Sequence, residues 1–450
     1  MMKPTIQIPL LVSAAVSTQV LALDGTDTTT TGELTTTEFT IEIADPSGAE
    51  HNHWRVDASK NLSSWLAFST TEVLHGTGTA TIAFPDNIRP RSIFFRTTVD
   101  NTSANVLDLP DPLPNYADIN LPPHLITPQE IASDNTTEDN PVTDTGATLG
   151  RVLFYDTKLS ANYSVSCASC HQQSSGFTDP DQFSTGFEGG LTGRNSMGLS
   201  NAKFYARGHF FWDERADTLE DQVLEPIQDD VEMGMTLTAL TERLERYDYY
   251  ADLFTAVYGD DGITPERISL ALAQFVRSML TYQSKFDEGI ATDFANFTQS
   301  ENRGRRLFNS RRAACAACHS GPNFVGNRID NNGLEFPYLD RGAGAVTGRP
   351  EDEGKFKMSS LRNIEVTGPY MHDGRFDTLE EVIDHYSTGG VDNPNLGRQL
   401  RTPGAPGQPP TVNRPNFTDQ EKADLVAFLK TLTDIDFLTD PKYASPFRNE

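Results

Sequence analysis

A chain of 450 residues is too long for one compact domain and suggests two or three. Its 36 Lys+Arg against 63 Asp+Glu give a net charge of −27, which excludes nucleic acid and anionic lipid as main partners because both would repel it. Four cysteines exclude a disulfide-dense scaffold, and the composition likewise excludes collagen, coiled coil and a polytopic membrane protein.

From the N-terminus, Lys3, an apolar stretch over Ile6 to Val20 and the residues Val20-Leu21-Ala22 before a cut predict a secretory signal over 1–22. Gln7, Pro9, Ser13, Ser17, Thr18 and Gln19 make it too polar for a stable membrane anchor. The mature chain is therefore expected outside the cytoplasm, periplasmic or otherwise exported, with no membrane span. Residues 23–37, rich in Thr, Asp and Gly, suit a linker.

Over 38–100 the pattern becomes strand-like. Phe39, Ile41 and Ile43 alternate with polar residues ahead of a turn at Asp45-Pro46-Ser47-Gly48, and short apolar runs around Trp54, Trp65, Ile82 and Phe94 follow. The expectation is a small all-β, sandwich-like module acting as a spacer or adhesion unit; His51 and His53 in it read as ordinary exposed loop histidines. A second linker rich in Pro, Asn, Asp and Thr is expected over 101–146.

Beyond Leu149 the periodicity turns helical, so this part of the chain is expected to be mainly α. Thr218, Thr298, Thr378 and Thr418 each precede an acidic residue by three positions, the capping-box spacing in which a hydroxyl and a carboxylate satisfy orphan helix donors. One long amphipathic helix is predicted from about 265 to 287 and another from about 419 to 433.

Cys167-Ala-Ser-Cys170-His171 and Cys315-Ala-Ala-Cys318-His319 are both C-x-x-C-H. Two thiols three residues apart share a helical face and can form thioethers to the two vinyl groups of one haem, and the next histidine then offers an imidazole to the iron. A four-cysteine zinc ribbon needs its pairs about 15–20 residues apart, not the 145 positions between Cys170 and Cys315. Both motifs together consume every cysteine, and export suits covalent haem. Two haems alone permit a plain electron carrier, which needs both irons six-coordinate; an enzyme leaves one open beside acid–base groups. Between His171 and Met197 no His or Met offers a sixth ligand, so the first haem is expected to be open.

About two-thirds of the chain, from Leu149 to Phe428, resembles the bacterial dihaem cytochrome c peroxidase and MauG family. The resemblance is carried by Leu149-Gly-Arg-Val-Leu-Phe-Tyr-Asp156, Gly176-Phe-Thr-Asp179, Arg194-Asn195, Phe211-Trp212-Asp213, Glu232-Met233-Gly234 and Ser360-Leu-Arg-Asn363, and most clearly by Pro369-Tyr-Met-His-Asp-Gly374 running on to His385-Tyr-Ser-Thr-Gly-Gly390. It implies two cytochrome c-like domains, 147–297 with the peroxidatic haem and 298–450 with the electron-transfer haem. It also implies roles. Gln222 and Glu232, ten positions apart with Pro226 between them, match the pair that lines the peroxide pocket, where Glu232 would move a proton between the two peroxide oxygens. Trp212 matches the tryptophan placed between the haems. Tyr386 matches the distal ligand of the second haem in the MauG branch, with Met371 as runner-up, and His372 and His385 read as structural. Asn195, Thr367 and Pro369 match the calcium ligands between the haems, where oxygen donors suit a hard cation.

The resemblance implies an oxidoreductase, first of all an exported peroxidase that reduces hydrogen peroxide to water with electrons relayed through the second haem. A MauG-like oxidase acting on an organic or protein substrate is the alternative; Tyr386 favours it, while the lack of a second tryptophan in the haem region disfavours it. A non-enzymatic dihaem carrier comes third, opposed by Gln222 with Glu232. A donor such as a small basic cytochrome c or cupredoxin is implied by the acidic surface, with a homodimer as a possible assembly.

Overall fold

The computed structural model describes residues 106–448 in full. It also describes, by backbone alone, the strands β1 (Thr37–Ala44), β2 (His51–Ser59), β3 (Leu66–Leu74), β4 (Thr77–Phe84) and β5 (Phe94–Val99). The signal expected over 1–22, the side chains of the 38–100 segment and its sandwich-like packing lie outside the described residues. The five strands pair in one sheet of order β1-β4-β3-β2-β5, with antiparallel neighbours.

The haem-motif region is mainly helical and belongs to one compact unit, Pro110–Arg246 with Leu253–Pro446. Two helix crossings organise it. Helix α1 (Asp144–Tyr155) crosses α5 (Pro265–Ser278), and α6 (Gln299–Phe308) crosses α8 (Asp419–Lys430). Between them in the chain lie α2 (Cys167–Cys170), α3 (Leu219–Gln222) and α4 (Glu225–Gln228), while α7 (Leu379–Thr388) lies between α6 and α8.

Both crossings are made the same way. A β-carbon on Gly150 would stand 2.0 Å from the Ala271 carbonyl oxygen and 2.8 Å from Phe275 Cβ; one on Gly304 would stand 1.8 Å from the Asp424 carbonyl oxygen and 2.8 Å from Phe428 Cβ. Only glycine lets these backbones touch. Each crossing then seats a phenylalanine four residues further on, and Phe275 and Phe428 are fully buried.

The cap signals formed where they were expected. Thr298, Thr378 and Thr418 accept the N3 amides of α6, α7 and α8 while Glu301, Glu381 and Glu421 reach back to the cap amides. The helix expected over 265–287 is shorter: α5 stops at Ser278, and the chain turns through 279–284 before a short helix, Lys285–Ile290. Asp434 explains the turn, since its carboxylate takes the amides of Tyr282 (2.8 Å) and Gln283 (2.9 Å) and the hydroxyl of Thr281 (3.0 Å). The stretch 110–146, expected as linker, packs closely instead. Tyr116, Leu125 and Asn140 are buried, and His124 meets Asp287 at 2.7 Å. Its polar residues read as solvated in the sequence because partners such as Glu220 for Asn140 and Asp287 for His124 lie 80 and 163 positions away.

Candidate active site

Each C-x-x-C-H motif is followed by the same tight return. After α2, Gln172 and Thr178 form a bridge; after the 3-10 turn Cys315–Ala317, Ser320 and Val325 form one. At the apex a phenylalanine takes a left-handed backbone, Phe177 at φ 61° and Phe324 at φ 50°. Its carbonyl meets the motif's histidine: His171 Nδ1 donates to Phe177 O at 2.8 Å and His319 Nδ1 to Phe324 O at 3.2 Å. A carbonyl can only accept, so Nδ1 carries the proton and Nε2 keeps the lone pair a metal needs. Burial lowers the proton affinity of both rings, favouring the neutral ligand form. The four thiols are unpaired, and burial pushes Cys167 up to about 12 and Cys170 to about 11. Paired thiols with an oriented imidazole fit covalent haem at both places.

A cavity of about 570 Å³ opens over the first motif, lined by Cys170, His171, Trp212, Gln222, Pro226 and Glu232. Cys170 and Glu232 lie 62 positions apart in the sequence; α3 and α4 bring Gln222 and Pro226 to the same wall. The loop after α4 positions Glu232, because Asp229 accepts the amides of Val231 (2.8 Å) and Glu232 (3.0 Å) while the Glu232 carbonyl accepts Phe187 N–H at 3.0 Å. Burial, reinforced by the nearby charge of Asp229, pushes the Glu232 carboxyl up to about 7; Arg215 opposes this. A group poised near neutrality can both take and return a proton.

Arg215 was not foreseen. It is clamped by Glu225 (2.9 Å) and Asp213 (3.2 Å) and lies 3.4 Å over the Phe211 ring. With Glu232, Pro226 and Asp229 it lines both the inner cavity and an adjoining outer one of about 320 Å³. It therefore stands where the two cavities meet. Phe211-Trp212-Asp213 was noted for its tryptophan, and the Arg215 clamp was not legible because Glu225 completes it only after folding.

The second cavity, about 230 Å³, is lined by Cys315, Cys318, His319, Met371, Tyr386 and, again, Trp212. The Trp212 indole N–H donates to Asn195 O at 2.8 Å, which fixes the ring on the wall common to the two cavities. Both ligand candidates reach the second cavity. Asn332 sits between them, its amide donating to Met371 Sδ at 3.3 Å and its side chain also hydrogen-bonding the Tyr386 hydroxyl. Burial raises the Tyr386 pKa against the opposing Asn332 hydrogen bond, and a metal's charge would favour the phenolate further. His385 Nε2 is engaged by Asn332 O at 2.9 Å, while His372, which also lines the second cavity, stacks on Phe356 at 3.7 Å.

Asn195, Thr367 and Pro369 share the lining of a small cavity of about 80 Å³. Among the described residues no group of three or more His, Cys, Asp or Glu side chains is arranged to hold a metal, so a cation there would rest on amide and carbonyl oxygens.

The sequence comparisons agree with this geometry. A family model described as di-haem cytochrome c peroxidase matches residues 144–294. The methylamine utilization protein MauG of Methylophilus methylotrophus is 33% identical over 294 residues, 65% of this chain and 84% of the relative. The cytochrome c551 peroxidase of Nitrosomonas europaea is 34% identical over 291 residues, 64% of this chain and 79% of the relative. The crystal structure of a MauG-like protein associated with microbial copper homeostasis superposes with a TM-score of 0.63 at 34% identity, covering 73% of this chain and 99% of that one.

The chain belongs to the dihaem cytochrome c peroxidase and MauG family. It is an oxidoreductase of that family, and the family implies two haem groups.

Proposed function

We propose that the chain is an exported dihaem peroxidase that reduces hydrogen peroxide to water at the first cavity with electrons relayed from the second. The observation that carries this is the meeting of Gln222 and a Glu232 poised near neutrality over His171, on a wall whose Trp212 also lines the second cavity. When bound, the haem supplies the iron that receives the oxidant. Peroxide enters past Arg215, whose clamp keeps the guanidinium from swinging inward. Glu232 takes the proton from one oxygen and returns it to the other, turning a poor leaving group into water; Gln222 orients the bound oxidant by its amide. Two electrons and two protons balance one peroxide to two waters.

The remaining finer readings belong to the same proposal. His171 and His319 would each hold a haem iron, Tyr386 would be a further ligand to the second iron, and Asn195, Thr367 and Pro369 would hold calcium. Haem domains 147–297 and 298–450 follow an all-β module over 38–100 that acts as a spacer, and residues 1–22 direct export. No helix among the described residues is long and apolar enough to cross a membrane. A small basic cytochrome or cupredoxin donates the electrons.

Steady-state assay of the holoprotein with reduced basic cytochrome tests the proposal: two donors should be oxidised per peroxide consumed. A loaded protein that leaves peroxide untouched would overturn it. Tyr386 on the second cavity favours a second reading, a MauG-like oxidase acting on an organic or protein substrate. Under that reading peroxide-treated protein oxidises an added phenol without cytochrome, and Tyr386→Met abolishes this while sparing peroxide consumption.

A further inference from the structure

One charged group at the shared wall has no part in the chemistry above. Lys357 is only 8% exposed and lines both cavities. Its backbone amide donates to the Trp212 carbonyl at 2.8 Å, which holds it beside the bridging indole. Its ammonium meets one backbone acceptor, His209 O at 3.2 Å, and the faces of Tyr205 (3.9 Å) and Phe210 (4.3 Å). No carboxylate among the described residues lies within ion-pair distance of it. The nearest candidate, Glu214, is committed to Arg207 at 2.9 Å and to the Tyr205 hydroxyl. Burial lowers its proton affinity to about 7, so the protein alone does not compensate this charge.

A buried ammonium is retained only when something anionic completes it. The anions a tetrapyrrole brings are its two carboxylate side arms, and Lys357 lines both cavities that carry a C-x-x-C-H motif. We propose that Lys357 is a positioning residue that seats a haem carboxylate at the wall between the two cavities and, by its positive charge, raises the reduction potentials on both sides. This rests on the dihaem reading. A fixed cation favours the reduced, less positive state of any nearby redox centre, and low dielectric in the wall carries the effect to both.

The test uses Lys357→Met and Lys357→Arg holoproteins, with haem content checked by mass and potentials read by spectroelectrochemical titration. With two haems bound, Lys357→Met should disfavour reduction at each haem about tenfold, which is 59 mV for a one-electron couple. Lys357→Arg should keep both potentials near the parent values while shifting the carboxylate bending mode in resonance Raman spectra. Either potential unmoved in Lys357→Met overturns the shared role. If that variant fails to fold or load, an unshifted carboxylate mode in Lys357→Arg overturns it instead. Failure of the peroxidase reading is seen separately, as absent peroxide turnover or fewer than two haems in the parent protein.

Discussion

Glu232 is where proton chemistry and burial meet. Glu232→Gln should lower kcat/KM for peroxide by about 10²–10⁴-fold, the range for a lost general acid–base group, with both haems still attached. Because the carboxylate is the form that accepts a proton, kcat/KM of the parent should rise with pH through about 7 and be flat in the variant; a parent profile without that inflection would remove Glu232 from the role. The same burial costs stability. With its folded pKa near 7 above the ordinary 4.5, Glu232 contributes stability below pH 4.5 that is lost as pH rises through about 7. Glu232→Gln should therefore melt above the parent at pH 8 and close to it at pH 4, as calorimetry can show. Glu232 and Gln222 were singled out through the family resemblance, whose ten-position spacing they match; on its own Glu232 reads as a solvated charge. Lys357 and Arg215 were not singled out. A lone Lys or Arg reads as a solvated charge until tertiary neighbours bury or pair it, and those neighbours, Tyr205 and Phe210 for Lys357 or Glu225 for Arg215, carry no local signature.

Local signals decided which elements could be read in advance. Threonine caps were legible because donor, hydroxyl and carboxylate lie within one turn, as at Thr298 and Glu301. The end of α5 was not, because Asp434, over 150 positions away, terminates it. Nor were the matched crossings, since a glycine inside a helix announces weak propensity rather than contact. Gly304→Ala gains about 1 kcal/mol of helix propensity but drives a methyl into the Asp424 carbonyl. It should destabilise at or beyond the top of the about 1–3 kcal/mol range for overpacking. Gly150→Ala should behave alike, whereas Gly193→Ala, with open space around it, should leave denaturant midpoints nearly unchanged. Equal behaviour of all three would mean the crossings tolerate separation.

At the scale of the molecule, the net charge of −27 sets how partners arrive. The rate of electron delivery from a basic small cytochrome should fall steeply as salt rises toward a Debye length of about 8 Å, and an acidic donor should show the opposite trend. A salt-independent rate with both would take electrostatic steering out of the encounter. Two alike C-x-x-C-H mounts also face different side chains, Glu232 and Gln222 in the first cavity and Tyr386 and Met371 in the second. The most direct test is paramagnetic resonance of the as-isolated diferric protein before and after peroxide, followed optically in parallel. One high-spin and one low-spin ferric signal are expected, with the high-spin signal consumed by peroxide, rapidly in the parent and slowly in Glu232→Gln. Two low-spin irons that ignore peroxide in every redox state would contradict an open catalytic centre and leave an electron carrier.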